Sequence, residues 1–206
     1  MDKYSKKIKP KISKDILELR RFYKRNGIPS ALEETLTELV LTVSVKQPKN
    51  ILEIGTATGV SALIMLETCP SAHVTTIEKD ETSFEEAKKN FTKFHVSDRV
   101  KQYLGDAAEY LNYLGGWFDF VFLDGAKSHY IDYLFDIKRL MPVHGVLFAD
   151  NVLFRGYVDG GVAYGRGDNT IVNNMRKFLD TIIADGDFIC TVHEIGDGIL
   201  IAQKIK

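Results

Sequence analysis

The run Ile51-Leu52-Glu53-Ile54-Gly55-Thr56-Ala57-Thr58-Gly59-Val60-Ser61 constrains the fold more than any other part of this chain. Its apolar residues read as a buried strand, its glycines as a turn, and the apolar stretch beyond as a helix. Glycine lets backbone approach a ligand closely, and the helix points free N–H groups at the same spot. That arrangement is where an open α/β sheet holds a nucleotide-like ligand.

After residue 50 the pattern alternates between strand and helix, which predicts a mostly parallel sheet with helices on both faces. Strands are expected near 50–54, 73–78, 99–104, 118–123, 144–149, 187–194 and 198–203, and helices near 13–26, 30–45, 60–68, 80–94, 106–113, 128–141 and 170–185. The last two strands are joined only by Ile195-Gly196-Asp197-Gly198. That link is too short for a crossover, so they form an antiparallel hairpin. With 206 residues, the chain has the length of one domain, 1–206, led by a basic helical arm over 1–28.

The net charge of -1 conceals an asymmetry. Residues 1–25 hold ten Lys or Arg against three acids, so the arm carries +7 and the rest -8. Such an arm either meets a polyanion or is a solvated terminus. Its lysines are followed by no signal-like apolar stretch, and no apolar run is long enough to span a membrane, so a cytoplasmic protein is expected. Cys69 and Cys190 stand far apart without metal-ligand spacing and read as reduced and structural. Segment 155–169 has five glycines and no period. It is either a lid over the site or a plain connection.

The first turn lacks the third glycine of a G-x-G-x-x-G pyrophosphate fingerprint, which favours a smaller cofactor without phosphates. Glu78 ends the second strand, where a carboxylate accepts from the two hydroxyls of a ribose, or else favours the helix behind it. Asp106 ends the third strand and either accepts from an adenine amino group or caps the next helix. Asp124 and Asp150 close the fourth and fifth strands, and Asn151 follows. Adjacent parallel strands bring the two carboxylates together, and unpaired like charges repel. A divalent cation removes the conflict, and these hard oxygen ligands suit Mg2+ or Mn2+. Two helix caps and a turn Asn would be the plainer account of the same residues. Lys127, three residues after Asp124, is placed to act as a general base or is an exposed helix lysine. His129 lies near the same point and could contact substrate. His73, His95, His144 and His193 read as structural.

Taken together, Ile51 to Ser61, Leu123-Asp124-Gly125-Ala126-Lys127, Ala149-Asp150-Asn151-Val152-Leu153 and Gly196-Asp197-Gly198 resemble the metal-dependent class I O-methyltransferases, the catechol and caffeoyl-CoA O-methyltransferases and their small bacterial relatives. The likeness runs from about Pro29 to the C-terminus. It implies a Rossmann-like seven-stranded sheet closed by an antiparallel hairpin, and often a homodimer. It also implies an S-adenosylmethionine site drawing on Ala31, Glu53, Gly55, Thr56, Ala57, Gly59, Ser61, Glu78, Asp106, Ala107 and Asp124. By the same resemblance Asp124, Asp150 and Asn151 hold the metal, and Lys127 is the base, so that Lys127 and Asp124 are the catalytic pair. An aromatic usual after the second glycine is replaced by Val60. Val45-Lys46-Gln47-Pro48 and Asp150-Asn151-Val152-Leu153-Phe154-Arg155-Gly156 look most similar to bacterial tRNA 5-hydroxyuridine methyltransferases. That likeness implies methylation at the tRNA wobble position, with the basic arm, Arg155 and Arg166 holding phosphate. Relatives of this type can carry a basic run after the lid, whereas 156–174 here has only Arg166. Two other readings stand beside it: the same chemistry on a small catechol-like or acyl-CoA-linked phenol, and a non-catalytic adenosine- or RNA-binding module. A nicotinamide oxidoreductase is disfavoured by Ala57 and the missing third glycine.

Overall fold

A computed structural model describes residues 9–28 and 31–206. Residues 1–8 of the basic arm, and the Pro29 and Ser30 from which the resemblance and the second helix were expected to begin, lie outside the described residues. The elements in chain order are α1 (Lys14–Arg25), α2 (Glu33–Lys46), β1 (Asn50–Ile54), α3 (Val60–Thr68), β2 (His73–Glu78), α4 (Glu81–Lys93) and β3 (Val100–Leu104). They are followed by α5 (Ala107–Tyr113), β4 (Phe120–Leu123), α6 (Tyr130–Leu140), β5 (Val146–Asp150), α7 (Asn169–Ala184), β6 (Phe188–His193) and β7 (Ile199–Lys204). The seven strands form one sheet in the order β3-β2-β1-β4-β5-β7-β6. The first five pair in parallel; β7 runs antiparallel to β5 and β6. This is the Rossmann-like sheet with a closing hairpin that the pattern predicts.

The side-chain alternation of each strand divides the core into two layers. Ile51, Phe120, Phe122 and Phe148 point to the face covered by α1, α2, α3 and α4. Leu52, Val121, Leu123 and Leu147 point to the face covered by α5, α6 and α7. Strands β4 and β5 are buried along their whole length, as central parallel strands covered on both faces must be. Helix α3 is apolar nearly all round, because it lies wholly inside its layer.

Helix α1 is a packed amphipathic helix. Ile16, Leu19 and Tyr23, spaced three and four apart, are buried against the α3 layer. The Tyr23 hydroxyl donates to Glu86 at 2.8 Å and accepts from Asn90 Nδ2 at 2.7 Å. Basic residues on the outer face, among them Lys14, Arg21, Lys24 and Arg25, stay exposed. The helical part of the arm is therefore part of the fold.

Most boundaries shift by one or two residues from expectation, β4 and β5 starting two residues late, and two shifts at helix starts have local reasons. Helix α2 starts at Glu33 because Leu32 is extended at φ -63, ψ 158. The helix expected from 128 opens instead as a 3-10 turn, Lys127–His129, before α6 begins at Tyr130. No helix among the described residues is long and apolar enough to cross a membrane.

Candidate active site

The C-terminal ends of β1, β2, β3, β4 and β5 open into one cavity of about 610 Å³. That position is the ligand crevice of an open α/β sheet. Its volume lies in the range of small-molecule and cofactor sites.

One end is built by the turn after β1. Gly55 has φ +98, a conformation that costs a side-chain-bearing residue. A Cβ at Gly55 would also run into the carbonyl of Asp124, so the turn and the end of β4 are in direct contact. Gly59 has φ +80 and caps α3; a Cβ there would lie 2.7 Å from the Phe91 ring. Each glycine is therefore required twice, by dihedral angle and by space.

Glu78 reaches back from the end of β2 to the turn. Its Oε2 accepts from Ala57 N–H at 2.8 Å and its Oε1 from Asp80 N–H at 2.9 Å. At the end of β3, Asp106 Oδ1 accepts from Ala108 N–H at 2.8 Å and caps α5. Both acids also line the cavity; Asp106 is in addition the cap of α5, whereas the cap of α4 is Asp80 rather than Glu78. Gly55, Thr56, Ala57, Ser61 and Ala107 line it too, as does Ala31 from the segment ahead of α2.

Glu53 and Gly59 are not part of the cavity wall. Glu53 is fully buried beneath the turn, where Ser61 Oγ donates to Oε1 and Thr76 Oγ1 donates to Oε2, each at 2.6 Å. The Thr76 and Thr56 hydroxyls are in turn 2.5 Å apart. Burial pushes the Glu53 carboxyl up to about 7, against the pull of its two hydroxyl donors and with the help of the Asp124 and Glu78 charges. Glu53 supports the turn from below, and Ser61 is its link to the cavity.

The other end of the cavity holds Asp124, Lys127, Asp150 and Asn151. Leu123 pairs with Ala149, so the parallel register sets Asp124 and Asp150 side by side. Asp150 is 1% exposed; its Oδ1 accepts from Asn151 N–H at 2.7 Å, and the buried Thr35 hydroxyl stands by the same carboxyl and helps to hold its charge. Burial raises the Asp124 carboxyl well above the carboxylate range and the Asp150 charge adds to the rise, while Lys127 opposes it. Burial raises Asp150 as well, opposed by the Asn151 N–H and Lys127. Lys127 Nζ lies 3.9 Å from Asp124 Oδ1, and both side chains are about a quarter exposed, at 25% and 26%. Asn151 holds a left-handed backbone at φ 59. An amide residue tolerates that conformation better than most. A buried carboxylate beside a partly buried one is an environment that a hard cation resolves.

The wall also holds Arg20 and Tyr133, which escape a reading of motifs, with His129, expected near this point, and Asp197 of the closing motif. Arg20 enters from α1, where it donates to the Ala31 carbonyl at 2.5 Å. Tyr133 and His129 come from the α6 side, and Asp197 from the β6–β7 turn. His129 pairs with Asp132 at 2.9 Å at the cavity edge. Asp197 Oδ1 accepts from Arg155 N–H at 2.6 Å, which fastens the chain leaving β5 to the closing hairpin. The glycine-rich stretch beyond is tied to α7: Arg176 Nε donates to the Val158 carbonyl at 2.8 Å and Nη2 to the Tyr157 carbonyl at 3.0 Å. Residues 155–169 do not line the cavity.

The chain matches the model of the O-methyltransferase family over residues 12–205. It belongs to that family. Catechol O-methyltransferase of Niastella koreensis is 33% identical over 145 residues, covering 68% of this chain and 64% of that one. Caffeoyl-CoA O-methyltransferase of Stellaria longipes is 24% identical over 208 residues, covering 95% and 86%. Among solved structures, the S-adenosylhomocysteine-bound methyltransferase of Podospora anserina superposes with a TM-score of 0.88 at 26% identity, covering 98% of this chain and 93% of that one. The enzyme is thus an S-adenosylmethionine-dependent O-methyltransferase of the catechol and caffeoyl-CoA type.

Proposed function

We propose that the enzyme methylates one of two adjacent oxygens on an aromatic acceptor, with Asp124, Asp150 and Asn151 as ligands of a divalent cation. The observation that carries this reading is the register that sets the quarter-exposed Asp124 beside the buried Asp150 at the cavity end. The donor set is all hard oxygen and suits Mg2+ or Mn2+. When bound, such an ion supplies a Lewis acid that makes the acceptor hydroxyl a stronger acid.

The remaining work falls to the chain's own groups. Lys127 takes the acceptor hydroxyl proton at Nζ, from its place beside Asp124 at the cavity wall. Gly55, having no side chain, lets the cofactor turn pack directly against the Asp124 carbonyl. The Glu78 oxygens each retain a lone pair for a ribose hydroxyl after accepting from Ala57 and Asp80. Asp106 Oδ2 is left for an adenine amino group, since Oδ1 holds the α5 cap. Ala31, Thr56, Ser61 and Ala107 complete the cofactor wall, with Glu53 and Gly59 fixing the turn behind it. The chemistry then depends on alignment and water exclusion, with the methyl group and its leaving group supplied by the cofactor.

Small phenols with vicinal hydroxyls are the first acceptor class, in keeping with the catechol and caffeoyl-CoA activities for which the relatives are named. A tRNA 5-hydroxyuridine is the second, since its hydroxyl and neighbouring carbonyl offer the same pair of oxygens. The exposed Lys14, Arg21, Lys24 and Arg25 of α1, with exposed Arg155 and Arg166, favour it as phosphate contacts. The test is methyl transfer from labelled S-adenosylmethionine, with Mg2+ or with chelator, to a panel of catechols and acyl-CoA phenols and to tRNA lacking the wobble methyl group. Cation-dependent label in the phenols is the expected result; label in tRNA alone would give the second reading. Label that is indifferent to chelator would refute the cation.

A further inference from the structure

Tyr130 is the first residue of α6 and is completely buried. Its hydroxyl oxygen lies 3.1 Å from the Leu123 carbonyl oxygen and 3.1 Å from the Asp150 carbonyl oxygen. Leu123 ends β4 and Asp150 ends β5. The pairing of these strands stops at Leu123 and Ala149, one step short of Asp124 and Asp150. Past that point the Tyr130 hydroxyl, sharing one proton between two carbonyls, bridges the two strand ends. The ring itself is fixed edge-to-face against Phe178 of α7, at 5.6 Å and 79°. Tyr130 does not line the cavity, so it reaches neither cofactor nor acceptor.

We propose that Tyr130 is a positioning residue whose hydroxyl bridge between the Leu123 and Asp150 carbonyls sets the spacing of Asp124 and Asp150, and thereby the affinity for the divalent cation. The inference rests on the cation reading above. Two carboxylates side by side, one buried and one partly so, repel one another, and the backbone that carries them would spread unless something tied it. A hydroxyl is suited to the task, because a phenol keeps its proton through the working pH range and donates it to carbonyl oxygens. Groups that orient metal ligands from behind characteristically change metal affinity by about 10–100-fold when removed.

Tyr130→Phe keeps the ring and deletes only the bridge. Mn2+ binding to the cofactor-free protein, read by electron paramagnetic resonance, is expected to weaken about tenfold or more. S-adenosylhomocysteine binding, read by calorimetry, stays within about twofold, because the cofactor turn is not held by this hydroxyl. Phe178→Leu is the control: it loosens the same aromatic contact without touching either strand end, and its Mn2+ affinity stays near that of wild type. Melting curves first set a temperature at which all three proteins are folded. Wild type that takes up no Mn2+ would remove the cation reading itself. Wild type that binds Mn2+ while Tyr130→Phe binds equally well, or while Phe178→Leu loses as much, would overturn the role assigned to Tyr130.

Discussion

Replacing Glu53 with Gln probes the support beneath the cofactor turn, and its effect has a defined dependence on pH. The Glu53 carboxyl is fully buried and raised from 4.5 to about 7. Below pH about 4.5 it is protonated in folded and unfolded chains alike and contributes nothing to the slope. Between about 4.5 and 7 the unfolded chain has lost this proton and the folded chain has kept it, so stability falls as pH rises. Above about 7 both states are ionised and the penalty is complete and constant. At 1.36 kcal/mol per pKa unit it reaches on the order of 3 kcal/mol. Gln keeps the shape without the charge. The stability of Glu53→Gln relative to wild type should therefore rise by about 3 kcal/mol between pH 4.5 and 7.5, on top of a pH-independent cost for rearranging the Ser61 and Thr76 hydroxyls. Asp124 and Asp150 add their slopes to both proteins, so the difference reports Glu53 together with its repulsion of Asp124 and Glu78. Urea denaturation of metal-free protein at half-unit pH steps measures it. A difference that stays flat across that window would mean that Glu53 ionises no later in the folded chain than in the unfolded one, and the account of the buried support would be wrong.

Gly55→Ala should cost about 1–2 kcal/mol for the left-handed backbone, and more for the collision with the Asp124 carbonyl. Thermal melts and calorimetry should show a lower Tm together with S-adenosylhomocysteine binding at least about tenfold weaker; an unchanged Kd would contradict the close packing of turn against β4. Lys127→Met should lower the single-turnover rate of methyl transfer by about 100-fold or more, with cofactor affinity unchanged. A variant retaining a third of the rate would assign the proton to another acceptor.

Most of the fold is legible in the sequence because the elements are locally consistent. The fully apolar Phe120-Val121-Phe122-Leu123 and Val146-Leu147-Phe148-Ala149 can only be central strands, and their parallel pairing is what brings Asp124 and Asp150 together. The short Ile195–Gly198 link likewise permits only a hairpin. Glu53 lies one step away from that transparency. It stands in the motif, but strand alternation turns it to the Ile51 side, under α3, rather than toward the cavity. Arg20, Tyr133 and Tyr130 were not legible at all. They lie on helices whose local pattern is ordinary amphipathic packing, and only the docking of α1 and α6 brings them to the strand ends. The basic arm misleads in another way: charge composition describes the outer face of α1 and is silent on the buried Ile16, Leu19 and Tyr23 that anchor it.

The central claim is that Asp124 and Asp150 form a cation site on which methyl transfer depends. The most direct measurement is the rate of methyl transfer to a catechol by protein stripped with chelator and then titrated with Mg2+, for wild type and for Asp150→Asn. The account predicts that wild type is inactive when stripped and recovers saturably with Mg2+, while Asp150→Asn still binds S-adenosylhomocysteine but does not recover. Full activity in stripped wild type, or equal recovery in Asp150→Asn, would contradict it.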